Sequence, residues 1–375
     1  MSKIRILSLD GGGIRGIIPA TIMHYVEAEL IRRTGNKDAR IADYFDLFAG
    51  TSTGGILSCI YLTPGAAKSG PSSQYTASEA LDFYVKEGYQ IFNASKNGNW
   101  KRIWGLRDAT EYNPAYIESL FLDRFKDLHM SDLIKPCLVT TYDMKAQSSY
   151  FFASREPKEL KREFYVRDVA RSTSAAPTFF PPAMISNILT KEQMVNIDGG
   201  VFANNPSMCA YAEARNTAFP QHGIVEPTAK DMMILSLGTG GGGFQLPDLS
   251  KSKSWGVLNW AKSIPEIMMD GSVDTVAFQM NEIFGTLEKK QDQMGFRRID
   301  VPSNARIYEA DMSDASPENI QKLLEAGKMT LEAALKEKDG FSLDTFIDQL
   351  IENNPIETKV KKEGANPANP AGEQG

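Results

Sequence analysis

Four times in this chain a short apolar run breaks off at a glycine-rich turn. Ile4–Leu9 runs into Asp10-Gly11-Gly12-Gly13, and an apolar stretch over 44–49 meets Gly50-Thr51-Ser52-Thr53-Gly54. Residues 195–197 end at Asp198-Gly199-Gly200, and Met232–Leu237 opens onto Gly238-Thr239-Gly240. Runs this short, stopped by glycine and followed by helical periodicity, are the pattern of strands buried in a parallel sheet. Ile17–Thr34 carries Ile18, Ile22, Val26 and Leu30 on one helical face, with Pro19 tolerated in the first turn and Gly35 as the stop. A second helix is expected over 54–62. Strands alternating with helices predict an α/β fold, three layers deep, with a mostly parallel central sheet flanked by helices.

Farther along, 78–130 reads as mainly helical with a loop around 97–108. Strands are expected at 138–141 and 150–153, a helix over 206–217, and a mainly helical stretch over 254–352 with one strand near 297–308. The chain reads as one domain over 1–352, its catalytic core about 4–240 and helical additions about 250–352. Residues 353–375, rich in Lys, Glu, Asn, Pro and Gly, read as a disordered tail.

With 375 residues and a net charge of −6, the chain lacks the basic footprint that a nucleic-acid polymer would need as partner. The three cysteines (Cys59, Cys137 and Cys209) are odd in number and have no ligand spacing, so neither a disulfide framework nor a metal is expected. No run reaches the ~18 apolar residues of a membrane span. The first residues lack the charged leader and apolar block of a secretory signal, so a cytoplasmic protein with peripheral contact with membranes is expected.

Gly50-Thr51-Ser52-Thr53-Gly54 is a G-x-S-x-G between a strand and a helix, the setting of a nucleophile elbow. Gly50 and Gly54 permit the sharp turn, and the helix that follows aims free N–H groups at the Ser52 hydroxyl. A tight turn that merely contains serine, or a phosphate loop, fits the same five residues. In Asp10-Gly11-Gly12-Gly13-Ile14-Arg15-Gly16, consecutive glycines let backbone amides converge on an anion such as the oxyanion of a tetrahedral intermediate, with Arg15 steadying the loop or the charge. Gly11, Gly13 and Gly16 also fit a dinucleotide fingerprint loosely, but the elbow occupies the place where that fold's acidic ribose ligand would be sought.

A serine nucleophile needs a base. The candidates are Asp198 itself, or one of the chain's three histidines, His24, His129 and His222. A triad of Ser52, Asp198 and His222 would keep the Ser-Asp-His order of α/β-hydrolases. Without histidine, Asp198 takes the proton directly, provided burial raises its pKa toward neutrality.

Taken in order, these motifs resemble the patatin-like phospholipase family. The likeness extends to Asp38-Ala39-Arg40-Ile41-Ala42-Asp43-Tyr44-Phe45-Asp46, Ser174-Ala175-Ala176-Pro177-Thr178-Phe179-Phe180-Pro181-Pro182, Leu235-Ser236-Leu237-Gly238-Thr239-Gly240 and Met312-Ser313-Asp314-Ala315-Ser316, covering roughly 4–330. The resemblance implies a serine-dependent lipid acyl hydrolase with Ser52 as nucleophile and Asp198 as base, a Ser-Asp dyad. It also implies an oxyanion hole of Gly11, Gly12, Gly13 and Arg15, and release of fatty acids from phospholipids or galactolipids through an acyl-enzyme, with no metal or cofactor. Bacterial relatives include anti-phage lipases switched on by a cyclic nucleotide, an activator that no single residue here establishes. The alternative is a non-catalytic ligand-binding or sensor protein on the same fold.

Two segments bear on access to lipid. Trp100, Lys101, Arg102, Ile103, Trp104 and Arg107 form an aromatic-basic patch suited to a membrane interface or to packing under its loop. The stretch 255–280 is apolar on one face through Trp260, Ile264, Ile267 and Met268, and either faces the core or covers the active site.

Overall fold

A computed structural model describes residues 3–65, 72–94, 111–155, 159–177, 179–241, 257–291, 295–337 and 342–354. At its centre lies β1 (Ile4–Leu9), fully buried, paired in parallel with β2 (Leu47–Thr51) on one side. Beyond β2, also parallel, is β3 (Cys137–Asp143). There the direction changes, because β4 (Ser148–Ala153) folds back antiparallel on β3. The short strands β5 (Ala183–Ser186) and β6 (Gln193–Asp198) pair antiparallel with each other, and β6 also pairs antiparallel with β3. On the far side of β1, β7 (Met232–Leu237) and β8 (Phe296–Ile299) continue the parallel run. The result is one eight-stranded sheet, mostly parallel, in the order β5-β6-β3-β2-β1-β7-β8 with β4 beside β3.

Alternation along the central strands divides the apolar residues between two cores, as a sheet buried on both faces requires. Ile4 and Ile6 join Leu47, Ala49 and Ile234 beneath Ala210, Ala214, Met280 and Phe284. Leu7 and Leu9 join Phe48, Val139 and Leu235 beneath the helices Ile17–Thr34 and Thr53–Leu62. Helices on both faces make the expected three layers.

Three elements differ from what the local pattern predicted. The strand expected over 44–49 begins three residues later, after a single helical turn at Ile41–Tyr44 in which the Arg40 N–H donates to the Asp43 carboxylate. Its start is set by Asp46, which accepts from the Arg5 backbone N–H and guanidinium deep in the protein. The helix Val166–Thr173 is largely polar in sequence yet buried, because Arg171 pairs with Glu118 and donates to the Pro181 carbonyl. The strand expected near 297–308 spans only Phe296–Ile299. The loop around 97–108 with its aromatic-basic patch, and the tail from 355 onward, lie outside the described residues.

Candidate active site

Ser52 stands in the turn between β2 and the helix Thr53–Leu62 with φ 53° and ψ −122°. A side chain at positive φ is a strained arrangement, of order 1–3 kcal/mol, and persists only where the surroundings impose it. Here packing imposes it: a Cβ on Gly54 would stand 2.1 Å from the Leu9 carbonyl oxygen, and one on Gly50 2.3 Å from that of Gly54. Three threonines brace the turn from below. The Ser52 N–H donates to Thr173 Oγ1 at 2.8 Å, and the Thr173 hydroxyl donates to the Thr140 carbonyl at 2.7 Å. The Thr51 and Thr140 hydroxyls lie 2.7 Å apart, and Thr51 also donates to the Ala203 carbonyl. Nothing in the sequence singled out Thr140 or Thr173, since isolated threonines in apolar runs carry no periodic signal.

Asp198 arrives from β6. Because β4 occupies one edge of β3, β2 and β6 must share the other, β2 over the first half of β3 and β6 over the second. Thr51 pairs with Thr140, and Asp198 with the next residue, Thr141. The two strands run toward each other and stop head to head, which brings the Ser52 hydroxyl close enough to the Asp198 carboxylate to favour its ionised form. Asp198 is 4% exposed. Burial pushes its carboxyl pKa up from 3.8 to about 7, although the bonds from Ser52 and from the Gly200 N–H (2.7 Å) pull the other way. Desolvation thus outweighs two hydrogen bonds, leaving a carboxyl that can both hold and release a proton near neutral pH.

The glycine loop after β1 crosses above Ser52, so close that a Cβ on Gly11 would lie 3.2 Å from Ser52 Cβ. Most of its amides are already engaged: Gly11 N–H donates to the Asn204 carbonyl, Ile14 N–H to Met312, and Arg15 N–H to Gly12. Among the described residues, the Gly12 and Gly13 N–H groups have no protein acceptor. Gly11, expected among the oxyanion donors, therefore contributes close approach to the serine, and the available donors are its two neighbours. The Arg15 side chain donates to the Gly240 carbonyl at 3.0 Å and so ties the loop to the turn after β7.

Below that turn Arg298 forms a buried bridge, donating to Asp10 at 2.6 and 2.9 Å and to Asp300 at 2.6 Å. Burial raises the Asp10 pKa to about 6 against the pull of the guanidinium. Neither Arg298 nor Asp300 was legible as a partner of the loop, because each lies nearly 300 residues away in the chain.

None of the three histidines reaches this site. His222 Nε2 lies 2.9 Å from Asp46 Oδ2, both side chains buried. Burial favours the protonated Asp46, but the bonds from His222 and Arg5 outweigh it and hold its pKa well below the ordinary carboxylate range. Asp46 precedes β2 and Ser52 follows it, so His222 sits at the opposite end of the strand, roughly 20 Å away at strand rise. His129 packs edge-on against Tyr165, and His24 is exposed on its helix. The Ser52–Asp198–His222 triad is excluded by this geometry.

The long helix Val257–Gln291 lies over the segment that follows Asp198. Its Ser272 hydroxyl donates to the Phe202 carbonyl, and Met269 Cε comes within 3.7 Å of a Cβ built on Gly200. Met280 and Phe284 enter the core, while Ile264, Ile267, Met268 and Phe278 point outward. The face expected to meet the core or cover the active site is therefore exposed at Ile264, Ile267 and Met268, and the helix enters the core instead through Met280 and Phe284. The Trp260 side chain lies outside the described residues. No helix among the described residues is long and apolar enough to cross a membrane.

An elbow serine, a buried aspartate beside it and two glycine amides without an acceptor among the described residues are the groups that acyl transfer would require. The family model for patatin-like phospholipases matches residues 7–211, which include every one of these groups. The chain belongs to the patatin-like phospholipase family. "Patatin-like protein 2" of Oryza sativa subsp. indica is 31% identical over 90% of this chain and 86% of its own length. "Patatin-like protein 2" of Arabidopsis thaliana is 32% identical over 86% and 82%. "Patatin group J-1" of Solanum tuberosum is 29% identical over 97% and 92%. As a patatin-like phospholipase the chain is a carboxylic ester hydrolase, a lipid acyl hydrolase.

Proposed function

We propose that this patatin-like phospholipase works through a Ser-Asp dyad and an acyl-enzyme. The Ser52 hydroxyl attacks the ester carbonyl of a phospholipid or galactolipid as Asp198 takes its proton. Charge developing on the carbonyl oxygen is met by the Gly12 and Gly13 N–H groups, an interaction that gains strength only as the tetrahedral intermediate forms. Collapse expels the lyso-lipid alkoxide, which recovers the proton from Asp198, and leaves a fatty acyl group on Ser52. A water molecule, deprotonated by Asp198, then attacks the acyl carbonyl, and the proton passes from Asp198 to Ser52 Oγ as the bond to serine breaks and the fatty acid leaves. A carboxylate near pKa 7 suits an ester, whose alkoxide leaves with less acid assistance than an amide nitrogen. No metal or cofactor enters these steps.

The head-to-head meeting of β2 and β6, which sets the Ser52 hydroxyl beside a desolvated Asp198, carries this reading. The outward apolar face of the helix Val257–Gln291, backed onto the dyad's segment, supports uptake of substrate from a membrane surface that the protein contacts peripherally. An activating cyclic nucleotide and an anti-phage role rest on the resemblance to bacterial relatives alone.

The test uses wild type, Ser52→Ala and Asp198→Asn on p-nitrophenyl esters and on phospholipid and galactolipid vesicles, with and without cyclic nucleotides. Wild-type turnover with loss in both variants is expected. Equal, negligible turnover in all three would return the chain to the class of binding or sensor proteins.

A further inference from the structure

The oxyanion loop has a weak point. The peptide between Gly11 and Gly12 joins two residues without side chains, so no side chain of their own restrains that plane from turning over. Turned over, it would present a carbonyl oxygen to the substrate where an N–H is needed, and the site would repel the charge it has to stabilise. Groups outside the loop must therefore set the plane.

The Thr239 hydroxyl donates to the Gly11 carbonyl oxygen at 2.6 Å, and Asn204 Nδ2 approaches the same oxygen at 3.4 Å. In a planar trans peptide the carbonyl and the following N–H point in opposite directions. Holding the Gly11 carbonyl down thus aims the Gly12 N–H away from Thr239. That N–H has no protein acceptor among the described residues. Thr239 also packs directly on Gly12, where a Cβ would stand 2.3 Å from its Oγ1 and 2.6 Å from its Cβ.

Thr239 is itself held fast. It is 4% exposed, in the turn that follows β7. Gly238 N–H donates to the Ile299 carbonyl and Gly240 N–H to the Asp300 carboxylate. The Gly240 carbonyl accepts from Arg15 and from the Tyr308 hydroxyl. The hydroxyl that sets the Gly11–Gly12 plane therefore projects from a turn anchored on two strands and on the Arg298 bridge.

We infer that Thr239, which lies beyond the 7–211 stretch matched by the family model, is a positioning residue for the oxyanion hole: its hydroxyl locks the Gly11–Gly12 peptide with the Gly12 N–H presented to the substrate carbonyl. This inference rests on the acyl-transfer reading above. The lock acts on charge that appears only in the transition state, so its loss falls on kcat and leaves KM largely alone.

The experiment compares wild type with Thr239→Val, which keeps the shape and removes the donor, and Thr239→Ser, which keeps the donor. Each is assayed on p-nitrophenyl butyrate and for labelling of Ser52 by a fluorophosphonate, whose phosphoryl oxygen calls on the same amides. Thr239→Val is expected to lower kcat and the labelling rate together by about 10²-fold, the scale of a lost oxyanion donor. Its KM should stay within about threefold and its melting temperature near wild type, and Thr239→Ser should recover most of both rates. Should Thr239→Val fold poorly, Thr239→Cys, of similar size with a weak donor, is expected to fall between the other two in kcat.

Equal rates in wild type and Thr239→Val would overturn the inference, as would a loss that serine fails to rescue. In either result Ser52 labelling of the wild type, absent in Ser52→Ala, would leave the hydrolase reading standing. A wild type that is neither active nor labelled would overturn both.

Discussion

Ser52 and Asp198 meet because the strands that carry them share one edge of β3, Thr51 paired with Thr140 and Asp198 with Thr141. Backbone hydrogen bonds along β3 thereby fix the proposed nucleophile and base relative to each other, and Thr173 braces the turn that carries Ser52. Removing either partner is expected to lower kcat/KM by at least about 10³-fold. Because neither substitution changes side-chain volume much, melting curves should show Ser52→Ala and Asp198→Asn still folded.

The raised pKa of Asp198 makes two pH predictions of opposite kind. The base must be ionised, so kcat/KM should fall as pH drops below about 7. Stability runs the other way. The folded protein holds the Asp198 proton more tightly than the unfolded chain, so this group's contribution is present below pH ~4 and is lost as pH rises through about 7. Thermal melts of Asp198→Asn against wild type should therefore diverge in favour of the variant between pH 5 and pH 8. A constant difference across that range would contradict a buried carboxyl with this pKa.

His222 separates a dyad from a triad. Its Asp46 partner is buried beside Arg5 at the far end of β2, so His222→Leu should leave kcat of the folded enzyme within roughly twofold of wild type. Stability should drop, toward the lower end of the ~3–5 kcal/mol typical of a broken buried pair, since Arg5 remains. Denaturant titration alongside esterase assays reads both.

The elbow has no room for a methyl group. Gly54→Ala would push a Cβ to 2.1 Å from the Leu9 carbonyl, a backbone atom of the central strand that cannot yield. Denaturant unfolding should show a loss of about 1–3 kcal/mol or more. Activity should suffer as well, because Ser52 shares the turn.

Charging the outer face of the helix Val257–Gln291 should separate lipid surfaces from soluble esters. Ile267 and Met268 are exposed, so an Ile267→Glu/Met268→Glu protein should keep its stability within about 0.5 kcal/mol per substitution. Hydrolysis of p-nitrophenyl butyrate should be unchanged, while release of fatty acid from vesicles falls severalfold. Equal loss on both substrates would place the effect in the dyad's support and not at a membrane.

What could be read along the chain was whatever is encoded locally. Apolar runs stopped by glycine marked the parallel strands, and G-x-S-x-G between a strand and a helix marked the nucleophile, because a sharp turn needs particular residues at particular spacings. Asp198 was legible as an acid at a strand end and, through the family resemblance, as the base, while the order of residues by itself left a triad with His222 open. Polar elements such as Val166–Thr173 escaped notice, since their burial depends on partners that come from elsewhere.

Sequence alone therefore determined the layered α/β architecture and the family, and marked Ser52 as the candidate nucleophile. Tertiary structure alone decided that Asp198 and not His222 faces the serine, that Asp198 loses its water and titrates near neutrality, and that Gly12 and Gly13 keep their amides unengaged. It also decided that Thr239 reaches Gly11 across 228 positions. The division follows from range: turn and strand preferences act between neighbours, whereas strand pairing, desolvation and the orientation of a single peptide plane are set by groups that meet only when the sheet has closed.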